Sequence, residues 1–220
     1  YAVWHGPDGL VQIARRVHGY AQRLAQGARQ AGLTVVHDAY FDTIRIAAGS
    51  EVDNIQSAAS ARGINLRRAS STDLIIALDE TVTQADVTDL LAVLGTDQPI
   101  PATEGCAIPS DARRTSEVMT HPTVHQYRSE TEMLRYLHRL ASKDLALDTA
   151  MIPLGSCTMK LNAAAEMIPV TWREFGGIHP FVSPQQATGY AEIFSNLEDW
   201  LADITGFSAV SLQPNAGSQG

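Results

Sequence analysis

At 220 residues with a net charge of -8, 45% apolar and 18% charged, the chain can build a sizeable hydrophobic core. The same balance excludes long disorder and argues against a nucleic-acid backbone or an anionic membrane surface as a general partner. No apolar run approaches the roughly 20 residues that span a bilayer. The chain opens on Tyr1 with neither an initiator Met nor a signal-peptide pattern, and it stops on Gly220 in a turn-like stretch, so both ends read as cuts through a longer protein. Cys106 and Cys157 are too few and too far apart for a disulfide framework or a zinc cluster, which makes a reducing interior the expected setting.

Along the chain, helical and strand patterns alternate. His5-Gly6-Pro7 leads into an amphipathic helix with Pro7 at or near its first position, an apolar stripe of Leu10, Ile13, Val17, Tyr20 and Leu24, and Gly32 as the stop. Residues 33–37 and 41–47 read as short strands, the second alternating Ile44 and Ile46 with polar neighbours. A helix over 52–62 ends at Gly63, strands follow at 64–69 and 74–78, and Thr83 begins a third helix with Val87, Leu90, Leu91 and Leu94 on one face and Gly95 closing it. That order predicts a small α+β layer, a sheet with helices on one side, in which no residue stands out as catalytic.

Residues 96–111 are weakly patterned and carry Pro and Gly, the mark of a linker. A His-Pro turn at 121–122 precedes Ser129-Glu-Thr-Glu132, a capping box in which the Ser129 oxygen takes the N3 amide and Glu132 reaches back to the cap amide. The helix it opens is expected to turn Met133, Leu137 and Leu140 inward. Residues 163–168 form a helical turn ended by Pro169, and 172–181 form an aromatic and glycine-rich loop closing on His179-Pro180-Phe181. Ser183 and Pro184 start a long helix with Tyr190, Ile193, Leu197, Leu201 and Ile204 on one face, stopped by Gly206, before a short strand at 209–212.

Two stretches carry chemistry. Residues 151–162, MIPLGSCTMKLN, gather Ser156, Cys157, Thr158, Lys160 and Asn162 on a loop that Pro153 and Gly155 keep irregular, a donor set suited to an anionic small molecule or simply a capped turn. Residues 213–220, QPNAGSQG, read either as an ordinary strand-to-helix turn or as one whose backbone N–H groups converge on a phosphate. In the second reading Gly217 permits close approach and Ser218 adds a hydroxyl. The spacing matches neither a nucleotide P-loop nor a dinucleotide fingerprint. Cys157 fits a quiet or redox-active neighbour of a site better than a covalent catalyst. His121 and His125 lack a helix and a third ligand, so no metal is expected. His179 is either a structural loop residue or part of an aromatic-lined pocket. Only Lys143 and Lys160 stand against fourteen arginines, so a lysine Schiff base within the chain would have to use one of these two. Lys143 is most simply a solvated last-turn cation.

At MIPLGSCTMKLNAAAEMIPVTW and QPNAGSQG the chain closely resembles the P-proteins of the glycine cleavage system, pyridoxal-phosphate-dependent glycine decarboxylases. The resemblance extends collinearly through HGP at 5–7, YFDT at 40–43, INLR at 64–67, LDET at 78–81, HP at 121–122 and YRSETEM at 127–133, with 96–113 the least similar part. It implies an α/β fold class: a small α+β domain over 1–95 closing a first half, a linker over 96–114, and from 115 to 220 the start of a second, fold type I aminotransferase-like half.

By the same resemblance Gly217, Ser218 and Gln219 bind the phosphate of pyridoxal 5'-phosphate, and Ser156, Cys157 and Thr158, with His179, shape the substrate and lipoyl entrance. The family's Schiff-base lysine lies downstream of the phosphate turn, so neither Lys143 nor Lys160 occupies its place and no catalytic residue is assigned within the chain. The implied substrate is glycine, which loses CO2 and passes its aminomethyl group to the lipoyl arm of the H-protein, reducing its disulfide. The implied assembly is a homodimer or a pseudo-dimer of homologous halves. The implied setting is the bacterial cytoplasm, or the mitochondrion in eukaryotic relatives. Against this stands the reading of the isolated chain as a non-catalytic α+β module that acts only by packing on other polypeptide.

Overall fold

A computed structural model describes residues 1–96, 100–101, 105–143, 151 and 163–220. The chain forms two compact units, Tyr1–Pro153 and Leu154–Gly220. Among the described residues all four strands lie in the first unit.

Helix α1, Ala2–Gln30, is broken at Gly6 (φ 62°, ψ 178°), so its regular part begins at Pro7. Pro7 has no N–H to leave unpaired there and its fixed φ suits a first turn. Val17, Ala21, Leu24, Ala25 and Ala28 are buried, and the three alanines let the helix approach its neighbours closely. Strands β1, Thr34–Val35, and β2, Thr43–Ala47, are shorter than the apolar runs that announce them. Helix α2, Val52–Ala61, closes on Gly63 at φ 72°, where a side chain would be strained, and Ile64 N–H reaches back to the Ala59 carbonyl.

Strands β3, Arg67–Arg68, and β4, Asp73–Ala77, complete an antiparallel sheet of order β1-β2-β4-β3. Its register sets Ile44 opposite Ile76 and Ile46 opposite Leu74, so one face is apolar. That face joins α1, α2 and α3, Gln84–Val93, in a single core cluster with Leu24, Val52, Val87, Leu90 and Leu91. Fully burying side chains of this size stabilises by about 1.5–3 kcal/mol each. Helix α3 starts at Thr83 as expected. Its oxygen accepts from the Asp86 amide while the Asp86 carboxylate takes the Thr83 N–H, a full capping box made with Asp in place of Glu.

The stretch that composition marks as a linker is fastened down. Thr96 and Ile100 are buried, Thr96 Oγ1 donates to the Gly27 carbonyl at 2.9 Å, Arg23 Nε donates to the Ile100 carbonyl at 2.9 Å, and the Ala107 amide donates to His18 Nε2 at 3.1 Å. Its direction runs back along α1. A Thr/Pro/Gly composition does not show this, because the partners are a helix carbonyl, a guanidinium and a ring nitrogen far away in sequence.

Beyond it, a 3-10 turn at Pro122–His125 lies between Met119 and Tyr127, both at positive φ (54° and 59°). Helix α4, Glu130–Ala141, is capped by Ser129, whose oxygen accepts from the Glu132 amide at 3.3 Å. The Glu132 carboxylate takes the Ser129 hydroxyl at 3.0 Å, so the expected bond to the cap amide is replaced. The expectation that Leu137 and Leu140 face inward fails: they are 53% and 42% exposed, and no residue of α4 is buried. Among the described residues of this unit, nothing packs over the stripe. Order comes from aromatic contact instead, with Tyr127 stacked on Tyr136 at 4.3 Å and Arg139 lying over both rings.

In the second unit, α5, Ala164–Met167, passes into a 3-10 turn, Ile168–Thr171, that carries Pro169 in its first turn, so Pro169 changes the winding rather than ending it. The expected aromatic loop contains a short helix, α6, Arg173–Gly176. A 3-10 turn at Pro184–Gln186 and the non-helical Ala187 delay α7 to Thr188–Thr205. Gly206 ends it at φ 73° in the left-handed region, as expected. Residues 209–212 are not a strand. Their alternating apolar pattern is strand-like, but a strand needs a ladder partner and this unit offers none among the described residues.

Candidate functional site

The phosphate-type turn is built from α7 outward. Glu198 Oε1 accepts the Leu212 N–H at 3.3 Å and so fixes where the chain leaves the helix. Past Pro214 the chain folds on itself: the Gln219 and Gly220 amides both donate to the Ala216 carbonyl, at 3.0 and 3.2 Å, and Gln219 Oε1 accepts the Asn215 amide at 2.8 Å. These bonds give a turn at 216–219. They leave the Ala216, Gly217 and Ser218 amides and the Ser218 hydroxyl without an internal acceptor among the described residues. Successive free amides beside a hydroxyl form a concavity suited to an anion. A β-carbon at Gly217 would meet no atom within 4 Å, so its surface is open for an oxygen to approach. The residues present therefore fit the phosphate of the expected cofactor.

His179 lies elsewhere in the same unit. Its Nδ1 accepts the Phe181 amide at 3.0 Å, which leaves the ring proton on Nε2, and the Phe181 ring sits 5.9 Å away. Both side chains are exposed, Phe181 at 90%. Nearby, Trp172, Phe175, Tyr190 and Phe194 form a ladder of ring contacts at 5.8–6.1 Å, locked by the Tyr190 hydroxyl donating to the Phe175 carbonyl at 2.7 Å. His179 takes no part in that ladder, so the geometry gives it a local turn-holding bond.

Ser156, Cys157 and Thr158, with Lys160, lie outside the described residues. Lys143 is exposed just past the end of α4. His121 Nδ1 accepts the Thr123 amide at 3.2 Å and His125 Nε2 lies 3.0 Å from the Met119 carbonyl, so each ring is committed to its own loop. Two grooves open in the first unit, one lined by Tyr1, His5, Gln12, Arg16 and Glu80, the other by Asp8, Val11, Ser116, Glu117 and His125. The second contains His125, set aside above as a metal ligand; among the described residues neither contains one expected to bind the cofactor or the substrate.

The chain matches the family model described as glycine cleavage system P-protein over residues 1–94. It is 53% identical over 227 aligned positions to the glycine dehydrogenase (decarboxylating) of Rhodopseudomonas palustris, an alignment that takes in 100% of this chain and 23% of that protein. The chain is a relative of the glycine cleavage system P-proteins. The proteins of the same description from Bradyrhizobium diazoefficiens (52% over 223 positions, 100% of this chain, 23% of that protein) and Paraburkholderia phytofirmans (49% over 233, 100% and 24%) agree. The chain thus spans about a quarter of the length of the curated relatives it matches. No described helix is long and apolar enough to cross a membrane.

Two features of this P-protein relative escape a reading by motif. His18 is buried mid-helix and bonded on both ring nitrogens, where the sequence shows only a polar residue interrupting an apolar stripe. Arg128 is seated on Gly6; the signal was the His5-Gly6-Pro7 break itself, since a glycine before a helix-starting proline marks a close approach.

Proposed function

We propose that the chain is the part of a pyridoxal-phosphate-dependent glycine decarboxylase that closes one aminotransferase-like half and opens the other, fold type I half. The observation that carries this reading is the identity of about one half, over the whole length of the chain, to proteins described as glycine dehydrogenase (decarboxylating). In it, the Ala216, Gly217 and Ser218 amides and the Ser218 hydroxyl donate to the cofactor phosphate, and the Gln219 side chain closes the turn from below. When bound, pyridoxal phosphate supplies an electron sink for the pair left behind as the glycine carboxylate departs as CO2. Ser156, Cys157 and Thr158 line the entrance used by glycine and by the lipoyl arm of an H-protein, and His179 borders it. Neither Lys143 nor Lys160 holds the cofactor, so these 220 residues alone do not turn over glycine. The homologous halves, or two copies, pair around the site, and the setting is a bacterial cytoplasm.

The test is release of labelled CO2 from carboxyl-labelled glycine by the full-length protein. Release that requires both pyridoxal phosphate and a lipoylated H-protein is expected; no release with both present overturns the reading. A second reading, that the isolated chain acts only by packing on other polypeptide, draws on α7, where Trp200 and Ile204 are 64% and 79% exposed. The two differ in whether the turn at 216–219 contributes to cofactor binding in the full-length protein.

A further inference from the structure

The chain leaving α3 returns along α1 and is fastened at Gly27, Arg23 and His18, about one helical turn apart. A hydroxyl and a guanidinium make the first two fastenings, and neither changes charge near neutrality. An imidazole makes the third. Its Nδ1 lies 2.8 Å from the Phe41 carbonyl oxygen and its Nε2 lies 3.1 Å from the Ala107 amide nitrogen. A carbonyl can only accept and an amide N–H can only donate, so the ring proton is on Nδ1 and Nε2 carries the lone pair. The Phe41 ring lies nearly parallel at 5.8 Å, the Tyr40 ring stands at 6.2 Å, and the residue is 7% exposed. Among the described residues the only polar partner of Nε2 is the Ala107 amide, a donor, so a second ring N–H finds no acceptor there.

We propose that His18 is a proton-operated latch: as the neutral Nδ1–H tautomer it fastens the strap at 105–113 to α1, and as the imidazolium it releases it. A proton added at Nε2 turns the acceptor into a donor facing the Ala107 N–H, so one bond is lost and two like dipoles are opposed. The strap leaves as one piece, because Arg113 Nε and Nη2 donate to the Ile108 and Cys106 carbonyls and hold it closed on itself.

The charged or titratable groups near the ring on the elements around it are Arg15, Arg16, Tyr20 and Arg23 on α1, His37, Asp38, Tyr40 and Asp42 on the loop before β2, and Cys106, Asp111 and Arg113 on the strap. None bonds the ring: Asp38 is taken by Arg29 and Asp42 by the Thr43 hydroxyl. The strap leads from the sheet layer to the turn at 119–127 and α4, so its release couples proton concentration to the freedom of that segment.

The experiment is NMR on the full chain across about pH 5 to 8, the range in which imidazole changes charge. It follows the nitrogen shifts of His18 and the exchange protection of the Ala107 amide relative to its intrinsic rate. At the alkaline end the Nδ1–H tautomer and a protected amide are expected; toward the acid end, a loss of protection of roughly tenfold or more. The His18→Gln variant, whose side-chain oxygen can still accept but cannot titrate, is expected to keep protection flat with pH. An Nε2–H tautomer, unchanged wild-type protection on acidification, or the same pH profile in His18→Gln overturns the proposal. The two wild-type measurements decide it even if the variant does not fold.

Discussion

Arg128 lays its guanidinium over the α-carbon of Gly6, where a β-carbon would collide with its central carbon and both terminal nitrogens. Gly6 stands at φ 62° in the break of α1, and Arg128 is aimed there by its bond to the Val124 carbonyl at 3.2 Å and by the positive φ of Tyr127 next to it. The His5-Gly6-Pro7 break and the turn before α4, remote in sequence, are thus two parts of one contact. Gly6→Ala is expected to lower stability by about 1–3 kcal/mol, from the left-handed backbone and the displaced guanidinium together. In Arg128→Ala the collision is gone, so the double variant should cost less than the sum of the two singles. Denaturant unfolding of all four proteins checks this; strict additivity would mean that the two residues do not meet.

On the face of the sheet opposite the helices, Arg45 Nε and Nη2 donate to Asp73 Oδ2 at 2.8 and 2.5 Å, and the Thr72 hydroxyl donates to Oδ1 at 2.9 Å. The Arg45 bonds first, and the Thr72 bond second, hold the Asp73 carboxyl below its ordinary value. A depressed folded value means that the ionised form is the one the fold stabilises. The contribution is therefore complete above the ordinary carboxylate range and lost as pH falls through the depressed value. Asp73→Asn should be less stable than wild type near neutral pH, and the gap should close on acidification. Urea midpoints at neutral and acid pH measure it, and a gap that widens in acid would refute the assignment.

The cap of α3 gives a smaller effect of the same sign. Thr83→Ala removes the acceptor for the Asp86 amide and the hydroxyl that, ahead of the Thr83 amide, lowers the Asp86 carboxyl. A loss of about 1 kcal/mol near neutral pH is expected. Thr83→Ser, which keeps the oxygen, should restore most of it. A Ser variant as unstable as Ala would show that the methyl group rather than the oxygen matters.

What could be read from the sequence, and what could not, follows from the range of the interactions. Gly63, Gly95, Gly206 and Thr83 act on the backbone within a few residues, and each stands where its local rule puts it. Ile44 and Ile46 on one side of β2 follow from a two-residue period alone. Residues 209–212 fail because a ladder needs a second strand. Leu137 and Leu140 on α4 fail because an apolar stripe says what a helix can bury, not whether anything lies over it. The fastened strap was read as a linker because its anchors, Gly27, Arg23 and His18, lie 69 to 89 residues away. In the candidate site the motif at 213–220 located a turn with free amides, which closes on the Ala216 carbonyl.

That turn supplies the most discriminating substitution for the proposed activity. Nothing stands within 4 Å of a β-carbon built at Gly217, so Gly217→Val meets no clash inside the chain. Its two methyl groups would instead occupy the space through which a phosphate oxygen reaches the neighbouring amides. In the full-length protein the thermal midpoint without cofactor should be unchanged, while pyridoxal phosphate binds at least about tenfold more weakly, as expected for loss of a charge-assisted hydrogen bond. Ser218→Ala, which removes one hydroxyl donor and leaves the amides, should weaken binding by less. Titration of cofactor binding beside thermal unfolding separates the cases. Unchanged affinity in Gly217→Val would remove the turn from the phosphate site, whereas a fall in stability that tracks the fall in affinity would show that Gly217 serves the fold instead.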